Sequence, residues 1–243
     1  MGPQEVRRKT LILLTEGLVE EIVYSSMLEK LYGGRQVECE DAPTPLEALI
    51  DPLIRRAKCY TLEHGDLIVI VNSRGYENLR NTIRQLLTQP ELPEALGQLD
   101  LRIAVAADRD KNPTESIRGV LSSMGLQATG GDTLTVELGN GAKLAIHVIE
   151  QGGEGDTATG EIEDELRKLV ETLKPELQHA AKKVEEIYGP LTDKQKLLIY
   201  LALLERKPKI RELYELFREA VAAASRDAIE HLGLAKGLGK ALG

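Results

Sequence analysis

The sequence predicts an α/β protein: a parallel sheet with flanking helices, a β-hairpin and a C-terminal helical region. Three stretches predict it. Residues 10–14 (TLILL) are a short continuous apolar run of the kind that strands buried on both faces show, residues 67–71 (LIVIV) are the most strand-like segment of the chain, and residues 101–107 (LRIAVAA) are small or apolar-biased and read as a buried strand. Each is followed by a turn and then by a segment of helical periodicity. Strand alternating with helix implies parallel strands with helices packed on the faces of the sheet.

Taken in order, Thr15-Glu16-Gly17 breaks the first run, and a helix follows over residues 18–32, where Val19, Val23, Met27 and Leu31 recur every fourth position. Gly33-Gly34 ends it. Residues 36–40 read as a short strand. Residues 45–58 read as one helix, because Leu46, Leu49, Ile50, Leu53 and Ile54 keep helical spacing. After LIVIV comes the turn Asn72-Ser73-Arg74-Gly75-Tyr76, a helix over 77–87 and a proline-containing linker near residues 90–93. A helix over 113–124 starts with Pro113 in its first turn and Glu115 close behind. Residues 133–138 and 144–149 flank Gly139-Asn140-Gly141 as a β-hairpin. The glycine-rich acidic stretch at 151–160 is then a boundary between an α/β domain, 1–150, and a helical region, 151–243, packed on or beside it. Helices are expected over 161–173, 175–188, 192–204 and 210–231. The leucines from Leu197 to Leu204 suggest a helix buried on most sides, and the final GLAKGLGKALG is expected to fray.

Composition narrows the function. The 243 residues are 42% hydrophobic and 29% charged, the balance of a soluble globular protein. With one Phe and no Trp the core must be aliphatic, and an aromatic platform for single-stranded nucleic acid is excluded. A net charge of −8 gives no global pull toward nucleic acid or an anionic membrane, so a nucleic-acid role needs a local basic patch or bridging metal ions. Cys39 and Cys59, with four scattered histidines, lack the spacing of a zinc site. They read as two core thiols, with no disulfide expected. No run approaches the roughly 20 apolar residues of a membrane span, and no signal-peptide pattern is present, so a cytoplasmic location is expected.

The chemistry concentrates at strand ends. Asp108 and Asp110 close the run 101–107, and on an extended backbone residues i and i+2 point to the same side, as two ligands of one hard cation would, with Arg109 turned away. Aspartates also form ordinary solvated loops. The metal reading gains from Glu16 and Glu20, which follow the first strand, because ligands of parallel sheets bind beyond the carboxyl ends of the strands. Glu21 is assigned only to the helix dipole. His147 reads as a packed or edge residue of its strand.

Glu16-Gly17-x-x-Glu20 after the first strand and Asp108-Arg109-Asp110 after a later one resemble the Toprim pattern, the metal-binding α/β domain of topoisomerases, bacterial primases and OLD-type nucleases. Asn72 to Leu79, Gly160-Glu161-Ile162-Glu163-Asp164 and the stretch Asp193-Lys194-Gln195-Lys196-Leu197 with Tyr200-Leu201-Ala202 resemble segments of small, uncharacterised OLD-related Toprim proteins. Two departures stand out: Glu20-Glu21 replaces the usual Asp-rich motif, and no ATPase domain is expected beside the Toprim-like unit, so a nucleotide-driven motor is expected to be absent or supplied by a partner. The resemblance implies Mg²⁺ or Mn²⁺ held by Glu16, Glu20, Asp108, Asp110 and Glu163. It also implies Glu16, Asp108, Asp110 and Lys194 as catalytic residues. Arg74, Arg109 and Lys111 stand beside the inferred site as phosphate contacts, the alternative being an ordinary solvated surface. The implied activity is on nucleic-acid phosphodiesters, with a nuclease as the leading form and nucleic acid, a protein partner or a second copy as partners. Two alternatives stay open: a non-catalytic metal- or nucleic-acid-binding module of a larger complex, and a metal-dependent phosphotransfer enzyme on nucleotides.

Overall fold

Alternate residues of the first strand feed two different cores. In the computed structural model, which describes residues 7–152, 161–204 and 210–243, Leu11 and Leu13 join one buried cluster, while Ile12 and Leu14 join another on the opposite face. A strand that must be apolar at every position can only be one that is covered on both sides, which is why TLILL shows no alternation.

The elements run β1 (Lys9–Thr15), α1 (Leu18–Tyr32), β2 (Arg35–Val37), α2 (Thr44–Ile50), β3 (Ala57–Thr61), β4 (Leu67–Asn72), α3 (Tyr76–Leu87), α4 (Leu92–Gln98), β5 (Asp100–Asp108), α5 (Pro113–Ser123), β6 (Ala128–Thr129), β7 (Thr133–Glu137) and β8 (Lys143–Gln151). The C-terminal region adds α6 (Ile162–Leu173), α7 (Pro175–Tyr188), α8 (Asp193–Leu204), α9 (Ile210–Ala223), α10 (Arg226–Glu230) and α11 (Gly233–Leu242). Among the described residues eight strands form one sheet in the order β2-β3-β4-β1-β5-β8-β7-β6. The four central strands, β4, β1, β5 and β8, are mutually parallel, and antiparallel pairs complete both edges. This is the α/β class that the sequence predicts.

Helices α2, α3, α4 and α5 cover one face, through side chains such as Leu49, Ile83, Ala95 and Val120. The other face carries α1 together with the C-terminal helices: Met27 and Leu28 share a cluster with Leu166, Phe217, Val221 and Leu238. Arg167 of α6 pairs with Glu171 at 2.6 Å and with Asp193 of α8 at 2.5 Å, and the Tyr200 hydroxyl donates to Glu171. No described helix is long and apolar enough to cross a membrane.

Five expectations need correction, the first being the single helix over 210–231, which breaks at Ser225, the extended residue that caps α10. The helix expected over 45–58 ends at Ile50; Pro52 lacks the N–H that an α-helix interior requires, the chain continues as a 3₁₀ turn over Asp51–Arg56, and β3 begins at Ala57. Cys39 and Cys59 are not separate thiols but a disulfide, with Cα atoms 5.2 Å apart. It is set by the pairing of β2 with β3, which puts Val37 opposite Cys59 and leaves Cys39 in the turn that follows. The C-terminal GLAKGLGKALG does not fray. Leu234, Leu238 and Ala241 are buried, and Gly237 lies so close to β8 that a Cβ there would stand 2.5 Å from Ile149 Cγ2. Finally, α8 is less enclosed than its leucines suggest, since Leu197 and Tyr200 are buried but Leu198 and Leu203 are 44% and 56% exposed.

Two outcomes test this packing. Reducing the disulfide, or the pair Cys39→Ser with Cys59→Ser, is expected to lower unfolding stability by about 3 kcal/mol in urea titrations, as for a closed loop of this size; native protein should titrate with no free thiol. Gly237→Val is expected to cost about 1–3 kcal/mol through overpacking against Ile149, read as a lower melting temperature.

Candidate functional site

The strand order places a switch point between β1 and β5: β4 lies on one side of β1, and β5 and β8 lie on the other. Ligand crevices of open α/β sheets form at the carboxyl ends of strands at such a point. The parallel register pairs Thr15 with Ala106, so the residues that follow, Glu16 on one strand and Asp108 on the other, emerge at the same edge. Ser73 N–H donates to Thr15 O at 2.9 Å and Gly75 N–H to Glu16 O at 2.7 Å, so the backbone around Glu16 stays clamped beyond the end of β1.

Glu16, Glu20, Asp108 and Glu163 line one cavity of about 380 Å³, with Asn72 and Arg74 on its β4 side. Asp108 closes β5, and its Oδ1 accepts from the Ile162 N–H at 3.0 Å, so the first residue of α6 donates to the carboxylate. That contact brings Glu163, one residue further, to the same cavity. An anion at a helix N-terminus is favoured by the unpaired N–H groups there. Glu20 also caps the start of α1, where its Oε2 accepts from Gly17 N–H at 3.0 Å. The half-buried Glu16 keeps one carboxylate oxygen, Oε2, shielded from solvent with no hydrogen-bond partner.

These carboxylates raise one another's pKa. Burial pushes Asp108 up to about 8, and the neighbouring charges of Glu20, Glu16 and Glu163 push the same way. Burial pushes Glu20 up to about 7, with Glu16 and Glu163 adding to it. Glu16 is raised by burial and by Asp110, against the pull of Lys111, and Glu163 is raised by burial against the pull of Lys194. Concentrated negative charge with little compensation is what a cation-binding or proton-handling site requires.

The other residues singled out in the sequence divide. Lys194 Nζ stands 3.9 Å from Glu163 Oε1 and is otherwise largely exposed, at the rim. Arg74 is exposed beside the cavity; its backbone sits at φ 61, and its N–H donates to Asn72 Oδ1 at 2.9 Å. Asp110 does not join Asp108 as expected. Residues Arg109–Lys111 form a 3₁₀ turn, so the extended-chain rule for i and i+2 fails there, and the exposed Asp110 pairs with Lys111 at 2.6 Å. Arg109 faces a different cavity and stands 3.8 Å from Glu150, so it is not placed as a phosphate contact for the carboxylate site. Glu21, assigned to the helix dipole alone, holds Lys58 at 2.7 Å and Asn72 Nδ2 at 2.8 Å, which fixes the loop after β4. Gly160 lies outside the described residues. Two supporting residues carried no signal in the sequence: Gln151, which closes β8 and donates to the Tyr24 hydroxyl at 3.1 Å, and Glu165, whose buried carboxylate accepts from Gly152 N–H and Leu234 N–H.

The donor set suits a divalent ion in kind. It is all oxygen, it carries excess negative charge, and it includes an orphaned Glu16 oxygen, all of which favour a hard cation. Among the described residues, however, no three His, Cys, Asp or Glu side chains stand together as a ready ligand set. Closure around an ion therefore requires side-chain movement.

A pH dependence follows. With the folded values of Glu20 and Asp108 above the ordinary carboxylate range, the folded protein binds more protons than the unfolded chain between about pH 4 and pH 8. Their contribution to stability is therefore complete below the unfolded pKa and is lost as the pH rises through the folded values. Melting temperature in EDTA is expected to fall from about pH 5 to pH 8, and Asp108→Asn should flatten that fall. Scanning calorimetry across the range checks both.

No family model matches the chain, and no curated protein matches it. Among solved structures, a hypothetical protein from Pyrococcus horikoshii OT3 superposes with a TM-score of 0.70 at 15% identity, covering 97% of this chain and 100% of that one. A structure described as a glyoxalase/dioxygenase from Nostoc punctiforme reaches a TM-score of only 0.20 at 10% identity, over 61% of this chain and 94% of that one, and carries no weight. At 15% identity the Pyrococcus protein is a relative in fold alone.

Proposed function

We propose that the protein is a Toprim-like, divalent-metal-dependent enzyme acting on nucleic-acid phosphodiesters, a nuclease. The observation that carries this reading is the meeting of Glu16, Glu20, Asp108 and Glu163, from three distant stretches of sequence, at the switch point of a parallel sheet. Glu16, Asp108 and Glu163 would hold Mg²⁺ or Mn²⁺, with Glu20 in support and Asp110, outside the cavity lining, adding its charge beside Glu16. Such an ion supplies charge neutralisation and Lewis acidity toward a phosphodiester.

The chain's own residues do the rest. Ile162 N–H orients Asp108, and the clamps on the Glu16 backbone fix where its carboxylate enters. Lys194 and Arg74, exposed at the rim, and Lys111, which lies within electrostatic reach of Glu16, are cations for the phosphate charge. The raised pKa values of Glu20 and Asp108 mean that ion and proton compete, so apparent metal affinity rises with pH.

One observation favours a second reading. Because no three carboxylates form a ready ligand set among the described residues, the ion can arrive with its substrate, as it does for a phosphotransfer enzyme on nucleotides.

Nicking and degradation assays on DNA and RNA, with Mg²⁺ or Mn²⁺ and with nucleoside triphosphates in parallel, test both readings. Metal-dependent strand cleavage is expected, lowered at least about 100-fold in Asp108→Ala, since even outer-sphere changes at metal sites cost 10–100-fold. Turnover of nucleotides without cleavage of polymers would select the second reading. Activity on neither, or equal activity in wild type and variant, would overturn both.

A further inference from the structure

Beneath the carboxylates, on the face of the sheet that α1 and α6 cover, two polar side chains are shut into the apolar core. Tyr24 of α1 and Gln151 at the end of β8 are both wholly buried, and Gln151 Nε2 donates to the Tyr24 hydroxyl at 3.1 Å. Burying an amide or a hydroxyl is unfavourable unless its hydrogen-bonding atoms are matched, a cost that apolar side chains in the same space would not carry. Here the match is incomplete, since Gln151 Oε1 is buried with no hydrogen-bond partner. A buried polar atom left in that state calls for a reason beyond packing.

The sheet supplies the reason. In the parallel ladder of β5 and β8, Gln151 stands opposite Asp108. Each lies two residues beyond a member of the same buried cluster, Ile149 for Gln151 and Ala106 for Asp108, so the two side chains leave neighbouring strands toward one face. Tyr24 belongs to that cluster and follows Glu20 by one helical turn, which sets both on one side of α1. Burial holds the Tyr24 hydroxyl far above its usual range, against the bond from Gln151 and with the charges of Glu165, Glu20 and Asp108 adding to it, so the hydroxyl keeps its proton.

The pair is rich in donors. The Gln151 amide has two N–H groups and spends one on Tyr24, whose oxygen is thereby an acceptor and whose own O–H is not used in that bond. Ile162 N–H already holds Asp108 Oδ1 from the α6 side. Groups that hydrogen-bond and orient a metal ligand from behind are worth about 10–100-fold in metal affinity.

Resting on the metal-dependent reading above, we propose that Tyr24 and Gln151 are positioning residues of the carboxylate site, whose spare donors hold Asp108 from the core side as Ile162 N–H holds it from α6. Glu16, Glu20 and Glu163, which must move to close around an ion, then close on a fixed Asp108. The unmatched Gln151 oxygen is what the fold tolerates to keep an amide at that place.

The test is isothermal titration of the full chain with Mn²⁺ alone, wild type beside Tyr24→Phe/Gln151→Leu, with melting curves in EDTA. The double variant removes the polar atoms of both side chains while nearly keeping their shape, and exchanging both partners of a buried hydrogen bond for apolar groups is close to neutral or stabilising. Its melting temperature in EDTA is therefore expected to equal or exceed that of wild type, while its Mn²⁺ affinity falls about 10-fold or more. Tyr24→Phe alone, which takes away only the hydroxyl, is expected to show a smaller fall in the same direction. Wild-type affinity in the double variant would overturn the positioning role and leave the metal site standing. Weaker binding that comes with a lower melting temperature in both variants would make the pair a structural element only, and overturns the proposal as well. If wild type binds no Mn²⁺, the metal-dependent reading itself falls and the positioning role falls with it.

Discussion

The parallel pairing of β1 with β5 is the constraint on which the site depends. It is a backbone ladder between segments far apart in sequence, and its register, Thr15 opposite Ala106, decides that Glu16 and Asp108 leave the sheet side by side. A shift of one residue would exchange the two cores, because every strand residue changes face. With Ile12 and Leu14 committed to one core and Leu11 and Leu13 to the other, both buried clusters resist that slip. The position of the acidic residues is thus enforced by aliphatic packing, not by any attraction between them.

Their proximity is costly. Four carboxylates facing one cavity, two of them with pKa values near or above neutrality, oppose folding at the pH where they would all be ionised. The fold offsets part of this with oriented N–H groups: Ile162 donates to Asp108, and Gly17 to Glu20. It leaves Glu16 Oε2 with nothing. Natural sequences break local rules of this kind chiefly at functional sites, where the strain belongs to the chemistry.

The C-terminal helices are part of this arrangement. Glu165, two residues beyond Glu163, accepts N–H groups from Gly152 after β8 and from Leu234 in α11, so a single buried carboxylate ties the end of a central strand, the helix that delivers Glu163 and the helix that carries Lys236 and Lys240. Movement of α6 would therefore be felt at both cavities. α1 and α9 pack together on the same sheet face, which leaves the helical region with a core shared with the sheet.

The α/β class, the central strands and the residue types at their ends are legible in the amino-acid order alone, because buried strands and amphipathic helices are local patterns of burial that a linear reading detects. Gly33 ends α1 at φ 61, as the glycine pair there predicts, for an equally local reason. β3 was not legible, since the helical spacing from Leu46 to Ile54 runs almost to its first residue and only the break at Pro52 and the pairing with β2 and β4 make a strand of Ala57–Thr61. The same holds for the Cys39–Cys59 bond, which depends on strand pairing, and for α11, whose glycines look like a weak helix until Ile149 is set against Gly237. It took the folded arrangement to separate Asp108 from Asp110 and to turn Arg109 toward Lys236 and Lys240. Which way a side chain points after a strand ends depends on the turn that follows, and which residues share a cavity depends on contacts between segments that the sequence keeps far apart.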